Sequence, residues 1–102
     1  MRILKPCKRH SIVGAVALSL LGHDAGIYCI ITEIVGDYAY IADGRGRRAD
    51  KPKKKKLKHL RLTDFSLPDE AIKNGKTDLT NREIRIFISE FHKACQINDV
   101  HN

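Results

Sequence analysis

Ten lysines and arginines stand between Arg45 and Arg61: Arg45, Arg47, Arg48, Lys51, Lys53, Lys54, Lys55, Lys56, Lys58 and Arg61. Set against the single Asp50, this segment has a formal charge of +9, while the rest of the chain sums to −2. All of the protein's net charge of +7 therefore lies in 17 of its 102 residues. Positive charge spread evenly serves solubility, whereas a concentrated cluster marks a contact surface for anions. The chemistry available to these residues is neutralisation of phosphate. Lysines act as point charges, and Arg45, Arg47 and Arg48 supply planar forks that can grip phosphate bidentately. His59, inside the segment, and His23, in an upstream glycine loop, are the further candidate contacts.

Other chemistries find little support. No nucleophile–base pattern surrounds His10, His23, His59, His92 or His101, so no catalytic group can be named and no enzyme is expected. Cys7, Cys29 and Cys95 are odd in number, widely spaced and without a CxxC pair. Cys7 and His10 form one ligand pair with no second pair to complete a structural zinc site. No metal, cofactor or small-molecule substrate is therefore expected, and the thiols suit a reducing cytoplasm. The chain has no Trp and only three Tyr and three Phe, which excludes extensive base stacking. Tyr28, Tyr38, Tyr40 and Phe65 suit strand surfaces and core. Tyr38 and Tyr40 share a strand face and offer at most one platform.

The elements that position these residues read as mostly β. Ile12, Gly14, Val16, Leu18 and Leu20 alternate with smaller or polar residues, which predicts a strand with one buried face. Gly22 to Gly26 is a loop, Ile27 to Val35 a second strand, Gly36-Asp37 a turn and Tyr38 to Asp43 a third strand. Short connections imply an antiparallel meander. Arg45 to Arg48 reads as a basic turn or short fourth strand, and Pro52 breaks the pattern. Lys53 to Lys56 are expected outside the core. Leu57, Leu60 and Leu62 anchor a last strand, with His59 and Arg61 facing outward. Val16, Leu18, Ile31, Ile34, Ile41, Leu60 and Leu62 are expected to be buried together.

Residues 64–79 read as a connector in which Pro68 to Gly75 holds one or two helical turns. Thr80-Asn81-Arg82-Glu83 has capping-box spacing. Ile84, Phe87, Ile88, Phe91, Ala94 and Cys95 recur at helical spacing, which predicts a helix over 80–95 packed on the strands, then a polar tail over 96–102. Residues 1–11 form a basic arm. With the apolar run after it the arm imitates a signal peptide, but that run alternates bulky and small residues and supplies the first strand. It is also too short to span a bilayer, and no membrane partner is expected.

The layout of strand, glycine-ended loop and apolar strand resembles the KOW motif. The similarity extends through IADG and KPKKKKLKHLRLT to a bacterial group of KOW-domain RNA-binding proteins. That group is itself similar to the fourteenth large-subunit ribosomal protein of archaea and eukaryotes. It covers about Ile12 to Thr63; one departure is Ala25, where the family often has a basic residue before the loop glycine. The resemblance implies a small SH3-like (KOW) barrel over 12–63 with a C-terminal α-helix. It implies non-catalytic binding of ribosomal RNA by a ribosomal or ribosome-associated protein in translation. A-form RNA would then be held through shape, backbone and 2′-OH contacts. Ribosomal proteins are the further expected partners, through the C-terminal helix. The alternative is a protein-interaction module, either a transcription-elongation type of KOW domain or a peptide-binding barrel, with the lysines on acidic protein surface.

Overall fold

The computed structural model describes residues 4–9 and 11–100, with side chains through residue 95. Eight strands precede one helix: β1 (Cys7–Lys8), β2 (Ala15–Ser19), β3 (Tyr28–Val35), β4 (Tyr38–Ala42), β5 (Lys53–Lys56), β6 (Leu60–Ser66), β7 (Ile72–Lys73), β8 (Lys76–Thr77) and α1 (Asn81–Val100). The first six form one antiparallel sheet in the order β1-β6-β2-β3-β4-β5. β2 to β5 pair in chain order, β3 and β4 through the tight turn Gly36-Asp37 and the others through longer loops, and β6 returns to lie against β2. The fold is thus mostly β with a C-terminal helix. Among the described residues the ladder is open, with β1 and β5 as its edges.

The sheet buries both faces. Val16, Ile30 and Ala42 lie side by side in the register and pack under Ile84, Phe87 and Phe91 of α1, with Leu4, Leu67 and Ala71. On the opposite, inner face a second core gathers Ala15, Ala17, Cys29, Ile31, Ala39, Ile41 and Leu60, with Ile34, Leu57 and Leu62 half-buried against it. Register shifts in β2 between Ala15 and Ala17, and in β3 between Ile31 and Glu33, bend the strands. Bending brings the β2–β3 loop onto β5, three places away in the ladder, where Lys55 donates to the Leu21 carbonyl and to Asp24.

This differs from the expected strand facing. β2 is shorter than the alternation predicts, and Ile12 and Leu20 are 38% and 40% exposed. Its alanines lie in the inner core, because helix and folded sheet cover it from both sides. Of the expected core, Ile31, Ile41 and Leu60 are buried together; Ile34 and Leu62 are half-buried at that core's margin. Val16 belongs to the other core, and Leu18 is only half-buried. The arm is docked where it is described: Leu4 is buried and β1 pairs with β6. His10, His101 and the end of the expected polar tail lie outside the described residues.

The capping box forms as read. Glu83 N–H donates to Thr80 Oγ1 at 3.1 Å, and Thr80 N–H donates to Glu83 Oε1 at 3.0 Å. The apolar stripe of α1 faces the sheet. The helix runs to Val100, past the end expected at Cys95. The connector corrects the helical reading. Asp69–Ala71 is a single 3-10 turn, followed by the β7–β8 hairpin closed by Asn74 and Gly75 at φ 53° and 76°. An Asn-Gly pair with both φ positive is the turn that a two-residue hairpin favours. At the helix start, Gly44 has φ 79°, and a Cβ there would meet the Asn81 carbonyl oxygen at 2.5 Å. Only glycine lets the β4–β5 loop approach α1 so closely. Among the described residues no helix is long and apolar enough to cross a membrane.

Candidate nucleic-acid interface

Strand alternation divides the lysine run. Lys53 and Lys55 lie across from Ile41 and Ala39, residues of the inner core. Lys54 and Lys56 lie across from Tyr40 and Tyr38, on the opposite face. Four identical residues thus face two environments, because successive side chains of a strand point to opposite sides.

The inward pair meets an acid. Asp24, 5% exposed in the β2–β3 loop, pairs with Lys53 at 3.1 Å and Lys55 at 3.2 Å through Oδ2, and with Arg47 at 3.0 Å through Oδ1. Burial pushes the Asp24 carboxyl up, but hydrogen bonds from Lys53, Arg47 and Lys55 outweigh it and hold the group at about 2, below its ordinary 3.8. Lys55 is itself 8% exposed. It lies across from Ala39 of the inner core, and its ammonium ties the β2–β3 loop to β5. The expectation that Lys53 to Lys56 bury nothing is therefore corrected at Lys55. A buried ammonium is tolerated because a carboxylate and a carbonyl both accept from it.

The outward pair is open. Lys54 places its ammonium 4.4 Å from the centroid of the Tyr38 ring. Lys56 and Lys58 are exposed and, with Asp37, Tyr38 and Leu57, line a cleft of about 410 Å³. Neither lysine makes an ion pair among the described residues.

The remaining candidates are dispersed. Arg48 pairs with Asp50 at 3.2 Å on the surface. The exposed Arg45 lines a separate cleft of about 360 Å³ with Tyr28, Arg85, Ile88 and His92. Its backbone N–H and that of Arg47 both donate to Asp43 Oδ1 at 2.9 Å, which shapes the loop. Lys51 is exposed in the bend before β5. Arg61 is exposed on β6 across from Leu18, on the face that carries α1. His59 is half-buried in the 3-10 turn before β6, and its carbonyl accepts from Leu20 N–H. His23 is exposed in the β2–β3 loop beside Asp24.

The structure brings Lys54, Lys56 and Lys58 together with Tyr38 and turns Arg47, Lys53 and Lys55 toward Asp24. The residue that sequence reasoning missed is Asp24. Its signal was available: it is the one acid in the loop Gly22–Gly26. The sequence matches no family model, and no curated protein matches it.

Proposed function

We propose that this protein is a non-catalytic RNA-binding protein, built as a small SH3-like barrel of the KOW type and acting on ribosomal RNA. The strand order β6-β2-β3-β4-β5, with a 3-10 turn between β5 and β6 and the last strand returned to the first, supports the barrel reading. The ribosomal assignment rests on the resemblance over Ile12 to Thr63. The observation that carries RNA binding is the outer side of β4 and β5. There Lys54, Lys56 and Lys58 stand beside Tyr38 with no acidic side chain paired to them among the described residues. Three cations, two on the edge strand β5 and Lys58 in the 3-10 turn that follows it, can track a phosphate backbone and release its counterions. Contact with ribosomal proteins through α1 would use its exposed face, since its apolar stripe lies on the sheet.

The test is binding of a structured ribosomal RNA fragment, followed by fluorescence anisotropy over a range of salt. Replacing Lys54, Lys56 and Lys58 together with Gln should leave the melting temperature unchanged and weaken binding. The slope of log K against log salt should flatten by about 2 to 3, at roughly 0.7–0.9 per phosphate lost. Lys73→Gln, at an exposed lysine paired with Asp78, should change neither quantity. Unchanged affinity and slope in the triple variant would refute the assignment of this edge.

A second reading, the protein-interaction module, draws on Leu20, Leu21 and Ile27, which are 40%, 53% and 42% exposed around the β2–β3 loop. Association that survives nuclease treatment of a lysate would favour it.

A further inference from the structure

The six aromatic side chains divide unevenly. Tyr28, Phe65, Phe87 and Phe91 belong to the core between helix and sheet. Tyr28 and Phe65 meet Phe91 at centroid distances of 5.2 and 5.4 Å. Tyr38 and Tyr40 take no part in that core. They stand two apart on β4, half-buried, each directly across from a lysine of the edge strand. Val35, 50% exposed, lies across from Tyr38 on the other side. The Tyr38 ring forms one wall of the cleft of about 410 Å³ that Asp37, Lys56, Leu57 and Lys58 complete.

Resting on the RNA reading above, we infer that this cleft takes a single unpaired base, stacked on Tyr38, with its flanking phosphates held by Lys56 and Lys58. The lining decides against a simple phosphate pocket. An acidic, an aliphatic and an aromatic residue, Asp37, Leu57 and Tyr38, are three of its five lining residues. Those groups repel or ignore a phosphate but suit the flat face and polar edge of a base. The volume lies within the range of about 300–1,000 Å³ usual for small-ligand sites. Two exposed lysines beside the ring suit a backbone that enters and leaves, not an isolated base.

Lys54 already covers the ring as a cation would. Such a contact is weak at an exposed site. On binding, its ammonium exchanges the ring for a phosphate and leaves the aromatic face to the base. The substrate class is therefore RNA with a bulge, loop or single-stranded end. A regular duplex keeps its base faces stacked and its deep groove closed to side chains.

The test uses three hairpin RNAs with one common stem: fully paired, with a one-nucleotide bulge, and with the same bulge made abasic. Anisotropy titrations on the full chain should show the bulged RNA binding tighter than both others by about 5- to 150-fold, the range that one base stacked on an aromatic side chain carries. Tyr38→Leu should abolish that preference and Tyr38→Phe should keep it. Should Tyr38→Leu fail to fold, the bulged-versus-abasic comparison on the unaltered protein decides by itself. Equal affinity for bulged and abasic RNA, with Lys56→Gln/Lys58→Gln weakening both, overturns the base site and leaves the RNA reading standing. Failure to bind any of the three at low salt overturns both.

Discussion

Replacing Asp24 with Asn removes one negative charge while keeping its size, and leaves Lys53, Lys55 and Arg47 around a neutral amide. The three cations do not suffer equally. Lys53 and Arg47 are 32% and 37% exposed at the side chain and can turn to water. Lys55 is 8% exposed and cannot. Its ammonium would keep the Leu21 carbonyl as partner and lose the carboxylate. The carboxyl's descent from 3.8 to about 2 on folding corresponds to about 2 kcal/mol, at roughly 1.4 kcal/mol per unit. Breaking a buried ion pair from one side costs about 3–5 kcal/mol. Because two of the three partners are screened, Asp24→Asn is expected to cost about 2–4 kcal/mol in urea unfolding followed by circular dichroism.

The sign in pH follows from the same shift. The folded protein holds the Asp24 carboxyl below its unfolded value, so the stabilisation is complete above about 4 and is lost as pH falls toward 2. Asp24→Asn should flatten that part of the acid-unfolding profile. Lys55→Met removes the charge but keeps an apolar stem. The double variant Asp24→Asn/Lys55→Met should recover part of the loss, since no buried charge is then orphaned. If Asp24→Asn costs less than 0.5 kcal/mol, or if its acid profile matches the parent's, the clamp does not hold the loop to β5.

Two further substitutions test the cores and the helix. Ile31→Ala, in the inner core, should destabilise by about 2–5 kcal/mol and Ile34→Ala, half-buried at its margin, by clearly less; equal costs in thermal or urea melts would contradict the assigned facing. Thr80→Ala removes the side-chain acceptor for Glu83 N–H and should cost about 0.5–2 kcal/mol, which a melting-temperature comparison would detect.

The meander β2–β3–β4, a strand at β6 and the helix were legible because hydropathy and turn residues both speak to them; β5 was not, since Arg45 to Arg48 offered the short fourth strand and Lys53 to Lys56 have no apolar period, and β1 lies in what read as an arm. Capping box and apolar stripe agree at the start of α1, and that agreement made the helix the clearest element. The inner core was less legible because its residues on β2 are Ala15 and Ala17, which read as spacers between bulkier neighbours. They are small because sheet and helix close on β2 from both sides. The β7–β8 hairpin was hidden by Pro68 and Gly75, which frame a plausible short helix; Asn74-Gly75 was the stronger signal. The division of the lysine run could not be read from hydropathy at all. Four identical residues carry no period, and only the partner strand, with Ala39 and Ile41 alternating against Tyr38 and Tyr40, reveals which lysines turn inward.

That division changes how much charge is available for binding. Arg47, Lys53 and Lys55 share Asp24, and Arg48 faces Asp50, so four of the ten cations between Arg45 and Arg61 already have an acidic partner. Neutralising all four of Lys53 to Lys56 would strip the clamp and the outer edge together, and a loss of RNA affinity would then report either one. Separating the faces resolves this. Lys55 is expected to govern stability through Asp24, whereas on the proposed RNA reading Lys54 and Lys56, across from the tyrosines, are expected to govern the salt dependence of binding. A stretch of sequence that reads as one basic patch is thus two structures back to back. The inward one holds the β2–β3 loop against the edge strand, and with it the position of that strand, on which the outward lysines stand.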